Sequence, residues 1–165
     1  MNRDRCLKTV FRGRKGETRM FMGQFEHSLD SKGRLIVPAK LREELGDTFV
    51  ITKGMDKCLY GYTNEGWQEV ADKIAALPTV TNKAAREFAR YFMAGATTCE
   101  LDKQGRILIP QVLREFAGLD KDAILLGVGG RIEIWNKDAW LNTTDNYDSN
   151  IEDVVAKMSE FGFSL

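Results

Sequence analysis

Apolar and polar positions along this chain switch between a two-residue and a helical period, and the switches occur twice in the same order. Phe25, His27 and Leu29 alternate with polar residues, and Leu35-Ile36-Val37 follow after a polar stretch, which predicts strand, loop, strand over 23–37. Asp30 to Gly33 is the turn between them. Pro38 then suits the start of a helix, where a missing N–H is harmless, and the helix over 39–45 stops at Gly46. Strands are predicted at 49–52 and 58–62, joined through 53–57. The same order returns as strands at 99–101 and 106–109, a helix over 111–117, and strands at 123–128 and 131–135 around a Gly129-Gly130 hairpin signal. Between the two series lies a helical hairpin. Trp67, Val70, Ala71 and Ile74 recur at helical spacing, as do Ala85, Phe88, Ala89 and Phe92, with Pro78 and a polar turn between. A final helix carries Ile151, Val154, Val155 and Met158 after a turn-rich stretch over 145–150.

The recurrence is one of residues as well as of pattern. Asp30-Ser31-Lys32-Gly33-Arg34-Leu35-Ile36-Val37-Pro38 returns 72 positions later as Asp102-Lys103-Gln104-Gly105-Arg106-Ile107-Leu108-Ile109-Pro110. The copies stay in step through Leu41-Arg42-Glu43 and Leu113-Arg114-Glu115 to Gly46 and Gly118, with eight of seventeen positions identical. Chance would give roughly one match. Tyr62-Thr63-Asn64-Glu65-Gly66-Trp67 likewise answers Trp135-Asn136-Lys137-Asp138-Ala139-Trp140. Self-similarity at a fixed period means a duplicated supersecondary unit, and a protein with two similar surfaces suits a ligand that is itself repetitive. DNA is the obvious candidate.

Composition narrows the classes. The 43% hydrophobic and 29% charged content is that of a globular chain, and no apolar run approaches the roughly 20 residues that span a bilayer. No apolar stretch follows the basic N-terminus as in a secretory signal, so a cytoplasmic location is expected. Cys6, Cys58 and Cys99 are odd in number and widely spaced, which argues for free thiols and against disulfides or zinc. His27 is the single histidine. No nucleophile–base pair, phosphate loop or ligand cluster is evident, so no enzyme, cofactor, metal or small-molecule substrate is expected.

Formal net charge is zero, but its spread is uneven. Residues 1–19 carry Arg3, Arg5, Lys8, Arg12, Arg14, Lys15 and Arg19 against Asp4 and Glu17, leaving the remainder net acidic. A DNA-binding surface on that remainder must be a local patch. The repeated Asp-x-x-Gly-Arg loop supplies one. Its aspartate can accept hydrogen bonds from amides of its own turn, its glycine lets the chain reverse, and its arginine starts the outgoing strand at a fixed place. An arginine so held can fork onto phosphate or onto guanine O6 and N7, and a two-stranded ribbon fits the major groove. Arg34 and Arg106 are the candidate base readers. Lys32, Lys103, Lys40, Arg42 and Arg114 are the candidate phosphate contacts, and Asp30, Gly33, Asp102 and Gly105 shape the loops. The same aspartate and arginine can equally form an internal salt bridge that only braces a turn.

The stretch from Met20-Phe21-Met22-Gly23-Gln24-Phe25-Glu26-His27-Ser28-Leu29 through Asp30-Ser31-Lys32-Gly33-Arg34 and Ile36-Val37-Pro38-Ala39-Lys40-Leu41-Arg42 resembles the start of the bacterial MraZ family. The likeness continues through Ala96-Thr97-Thr98-Cys99-Glu100-Leu101-Asp102-Lys103-Gln104-Gly105-Arg106 to Trp140 and covers essentially 20–165. It implies an α+β fold, a duplicated swapped-hairpin (SpoVT/AbrB-like) β-barrel with an inserted helical hairpin and a C-terminal helix. The units are 24–66 and 95–138, with the hairpin at 67–94 and a helical tail at 139–165. The resemblance further implies a nucleoid-associated regulator that assembles into homo-oligomeric rings. Such a ring would bind short G-rich direct repeats in double-stranded DNA upstream of the division and cell-wall operon, repressing its own gene. Arg34 is the most critical carried-over position. Gln104 stands where the first loop has Lys32, which implies weaker contact by the second loop. Family members begin at the equivalent of Met20, so residues 1–19 are expected to be a basic extension, disordered or outside the native start, though they can also add phosphate contacts. Two rivals remain open: an AbrB-like antitoxin or global regulator, and an oligomeric scaffold that touches no DNA.

Overall fold

Both sheets of the fold draw strands from both copies. The structure, a computed structural model, describes residues 20–164. The expectations for 1–19, Cys6 included, lie outside the described residues. The first copy runs β1 (Phe21–Ser28), β2 (Arg34–Ile36), α1 (Ala39–Leu45), β3 (Thr48–Lys53), β4 (Leu59–Thr63), α2 (Asn64–Ala75) and α3 (Lys83–Ala94). The second repeats it as β5 (Thr97–Glu100), β6 (Arg106–Leu108), α4 (Gln111–Ala117), β7 (Asp122–Gly129), β8 (Arg131–Asn136), α5 (Lys137–Thr144) and α6 (Tyr147–Met158). A 3-10 turn over Ser159–Phe161 ends the chain's regular structure. The fold is mixed α+β with mostly antiparallel pairing.

The copies exchange their first strands. Six strands pair in the order β1-β7-β8-β4-β3-β5, so β1 lies on the second copy and β5 on the first. Within the first copy β1 and β2 meet only at the isolated Leu29–Leu35 bridge. β2 pairs instead with β6, and Leu35 faces Ile107, its own counterpart. The order of the sheet is unchanged when the copies are interchanged, which gives the chain an approximate twofold axis. That axis passes through the Leu35–Ile107 pair and again through Tyr60–Glu133, where β4 meets β8.

One core serves both copies. Leu35, Val37, Ile107 and Ile109 are fully buried with Leu41 and Leu45 of α1, Leu113 and Ala117 of α4, and Phe49, Ile51, Leu59, Leu125, Ile132 and Ile134 of the sheet. Each such side chain contributes about 1.5–3 kcal/mol when taken from water, and the contribution requires both copies to be present. At the β4–β8 seam Glu133 is buried but paired: Arg131 Nη2 donates to it at 2.8 Å and Trp135 Nε1 at 2.9 Å. Outside the main core, Trp67 of α2 stacks on Phe92 of α3 with ring centroids 5.7 Å apart, over Tyr62 and Ile74.

The helix termini repeat too. The Thr63 hydroxyl accepts the Gly66 N–H at 2.9 Å, and the Asn136 side chain accepts the Ala139 N–H at 2.9 Å. These caps start α2 at Asn64, ahead of the apolar stripe that begins at Trp67. Pro38 and Pro110 stand at the N-cap positions of α1 and α4, where no side-chain capping bond forms. At the other end, α6 begins at Tyr147, so most of the stretch expected to be turn is helical. Its polar composition hid the helix because α6 buries no residue and thus needs no apolar stripe on that first turn.

Candidate nucleic-acid interface

Each Asp-x-x-Gly-Arg loop is organised by its aspartate. Asp30 Oδ1 accepts the backbone N–H groups of Lys32 and Arg34, both at 2.9 Å, while Oδ2 accepts Arg34 Nε at 2.6 Å. Gly33 closes the turn at φ +80°, its N–H donating to Asp30 O at 3.0 Å. The second loop copies this geometry: Asp102 Oδ1 accepts Gln104 N at 2.8 Å and Arg106 N at 2.9 Å, Oδ2 accepts Arg106 Nε at 2.8 Å, and Gly105 has φ +74°. The Arg34 backbone N–H, helped by its guanidinium and the Lys32 amide, holds the Asp30 carboxyl below its ordinary pKa against some desolvation. The Arg106 amide and guanidinium and the Gln104 amide do the same for Asp102.

The ion pair and an outward contact need different nitrogens. The carboxylate holds Nε, and among the described residues Arg34's two Nη groups have no protein hydrogen bond. Bracing through Nε and an outward contact through the Nη groups are therefore compatible.

The two loops form one surface. Arg34 stands opposite Leu108 and Arg106 opposite Ile36 in the β2–β6 ribbon. Because side chains alternate along strands, fully buried Leu35 and Ile107 leave Arg34, Ile36, Arg106 and Leu108 on the outward face. Val37 N donates to Gly105 O at 2.9 Å and Ile109 N to Gly33 O at 3.1 Å, tying each loop to the other copy's strand. Arg106 Nη1 also lies 3.8 Å from Asp30 Oδ2. Lys32, Lys103 and Gln104 are exposed on the loops and Lys40 is exposed on α1.

Arg42 and Arg114 sit differently. Both are half-buried, and each lies over the loop glycine of the opposite copy. A Cβ built on Gly33 would fall 2.5 Å from Arg114 Cζ, and one on Gly105 would fall 2.0 Å from Arg42 Nη1. Arg114 Nε donates to Ile109 O at 2.9 Å, while Arg42 Nε is buried without an acceptor among the described residues. Sequence reasoning placed these arginines on the helix after the loop but missed that each crosses to the other copy. Their repeated spacing carries no information about which copy they face. It also missed the outward Ile36 and Leu108, because 35–37 and 107–109 are unbroken apolar runs with no alternation to separate the faces.

No group of His, Cys, Asp and Glu among the described residues is placed to hold a metal ion, and no helix among them is long and apolar enough to cross a membrane.

The tandem organisation has counterparts. The MraZ protein family model, whose description carries the words antitoxin-like, matches residues 20–91 and again 92–161. A transcriptional regulator MraZ from Caldanaerobacter subterraneus subsp. tengcongensis is 51% identical over 142 residues, covering 86% of this chain and 99% of that protein. One from Lachnoclostridium phytofermentans is 53% identical over 146 residues, covering 88% and 100%, and one from Ligilactobacillus salivarius is 51% identical over 142 residues. Fold and site thus define a duplicated α+β protein of a class whose relatives are transcriptional regulators. The chain belongs to the MraZ family.

Proposed function

We propose that this chain is a sequence-specific DNA-binding transcriptional regulator that reads the major groove with the β2–β6 ribbon. The observation that carries the reading is the pair of aspartate-held arginines, Arg34 and Arg106, on one outward face of a two-stranded ribbon. Arg34 and Arg106 fork onto guanine O6 and N7, while Lys32, Lys103 and Lys40 meet phosphates. Arg42 and Arg114 hold the loops from behind. The names of the relatives support the same role.

The finer reading follows from the family. The unit is a swapped-hairpin, SpoVT/AbrB-like one, which the exchange of β1 and β5 supports. The target is a set of short G-rich direct repeats upstream of the chain's own gene in the division and cell-wall operon, and the effect is repression. Subunits assemble into a ring. Assembly is supported by the exposed apolar side chains of the C-terminal segment, Ile151, Val154, Phe161 and Phe163. A ring also answers the charge balance, since one ribbon neutralises few phosphates and several on one duplex gain by avidity.

A second reading, an AbrB-like antitoxin docking a partner protein, draws on the family description and on an apolar groove of about 330 Å³ lined by Met55, Tyr60, Val70, Leu77 and Phe88. Dimer-sized particles with a co-purifying toxin would favour it.

The test is fluorescence anisotropy on DNA from upstream of the chain's own gene, beside a shuffled duplex and the Arg34→Ala variant, across a salt series. Tight binding to the native duplex alone, lost in the variant, is expected. Equal binding to both duplexes that vanishes with salt would reduce the protein to phosphate contact and overturn sequence-specific reading.

A further inference from the structure

We propose that Leu108 and Ile36 are specificity residues that contact the C5-methyl groups of thymines next to the guanines read by Arg34 and Arg106. The inference rests on the DNA-reading function above and adds to it a base that an arginine cannot select.

Leu108 is 59% exposed and Ile36 41% exposed, although both belong to a ribbon whose other face is fully buried. Single exposed aliphatic residues are ordinary on protein surfaces. These two differ in being placed at symmetry-related sites, each directly opposite an aspartate-held arginine. The outward face thus alternates cation and branched aliphatic along both strands, with exposed Lys32 and Lys103 at the loops beside it. A surface that met only phosphate has no use for the aliphatic pair, because phosphates select cations and donors.

The chemistry of the groove supplies the use. Thymine is the one base that presents an apolar group, its methyl, on the major-groove edge where guanine presents O6 and N7. Directly opposed side chains in an antiparallel pair have Cβ atoms about 4.5–5.5 Å apart, against a base-pair rise of about 3.4 Å. An arginine seated on a guanine therefore carries its aliphatic neighbour to the adjacent base pair. Leu108 serves Arg34 and Ile36 serves Arg106, so the ribbon selects guanine and thymine side by side, twice.

Deoxyuridine differs from thymidine by that methyl alone, which makes the inference testable without touching the protein. Fluorescein-labelled duplex from upstream of the chain's own gene is compared with the same duplex carrying deoxyuridine for every thymidine. One buried methyl is worth about fourfold in affinity, so with two methyls per ribbon the wild type is expected to bind the uridine duplex roughly fifteenfold more weakly. The variant Leu108→Ala with Ile36→Ala is expected to bind both duplexes equally, near the wild-type affinity for the uridine one, with an unchanged sedimentation coefficient. Equal wild-type affinity for the two duplexes overturns the inference and leaves the DNA-reading function standing. A variant that keeps the wild-type thymidine preference overturns it as well, since the methyls are then sensed elsewhere. A variant that loses assembly together with affinity makes the pair a subunit contact and overturns it too. No wild-type binding to either duplex removes the DNA-reading function and this inference together.

Discussion

Arg42 of the first copy covers Gly105 of the second so closely that a Cβ on that glycine would stand 2.0 Å from its Nη1, and Arg114 covers Gly33 in return. Each copy therefore supplies the backing for the other copy's loop. Gly105→Ala meets this arginine and also a positive φ, whose cost for an L-residue is roughly 1–2 kcal/mol. For a chain of this size, that predicts a fall in Tm of about 3–6 °C, read by thermal denaturation. In an Arg42→Ala background the steric part is gone, and the same glycine substitution should cost less. Additive effects in that double-mutant cycle would mean that the guanidinium does not press on the glycine.

Loop geometry should tolerate acid further than an ordinary carboxylate would. Asp30 and Asp102 have depressed pKa values because amides and a guanidinium donate to the charged form. A depressed value means that the contribution is present above the unfolded value, about 4, and is lost only as pH falls through the lower folded value. DNA affinity should accordingly be insensitive to these two groups between pH 8 and pH 5. Asp30→Asn, which removes the charge that holds Arg34 Nε, should weaken binding roughly tenfold at every pH in that window. An Asn variant with wild-type affinity would show that the arginine needs no aiming.

The two described thiols should be inert. Burial pushes both Cys58 and Cys99 up to about 12, with the Glu133 carboxylate adding to the effect at Cys58. The folded state then holds these protons more tightly, so their contribution is intact below the ordinary thiol value of about 8.5 and is lost as pH rises above it. A Cys6→Ser variant treated with an aromatic disulfide reagent at pH 8 should show no fast-reacting thiol until denaturant is added. Rapid release of one equivalent from the native protein would contradict the burial of one of them.

Much of this architecture is legible in the residues, and what is not has a physical cause. The helices over Ala39–Leu45 and Gln111–Ala117 are bracketed by Pro and Gly, which act locally, and the sequence places both ends correctly. The Gly129-Gly130 turn is equally local: Val128 pairs with Arg131 across it, with Gly129 at φ +68°. Partner choice is not local. Nothing in Phe21–Ser28 states that it pairs with β7 and not with β2, because the alternation of Phe25 and His27 satisfies either neighbour. The same limit hid the crossing of Arg42 and Arg114. The loop residues Asp30, Gly33 and Arg34 could be singled out because their bonds close within five residues, whereas the Ile36 and Leu108 face depends on which strand lies alongside.

The C-terminal helix supplies the last prediction. α3 and α6 stand at the same point in the element order of the two copies, yet α3 buries Phe92 against Trp67 and Tyr62 while α6 buries nothing. Ile151 and Val154 are exposed on α6, as are Phe161 and Phe163 beyond it. Apolar side chains grouped in this way on one segment are the signature of a surface that another molecule covers, and a second copy of the chain is the occupant the proposed ring requires. Replacing both Ile151 and Val154 by Asp removes little from the isolated fold, because neither side chain is buried in it. The expected result is a near-wild-type circular dichroism spectrum and Tm for the protomer, with particles that sediment at a smaller size. Since linked sites on one duplex gain about 10²–10⁴ in avidity, the smaller particles should bind multi-repeat DNA at least tenfold more weakly while their affinity for a single repeat is unchanged. Particles of wild-type size would move the subunit contact away from α6. Equal losses on single and multiple repeats would tie α6 to the loops instead of to assembly.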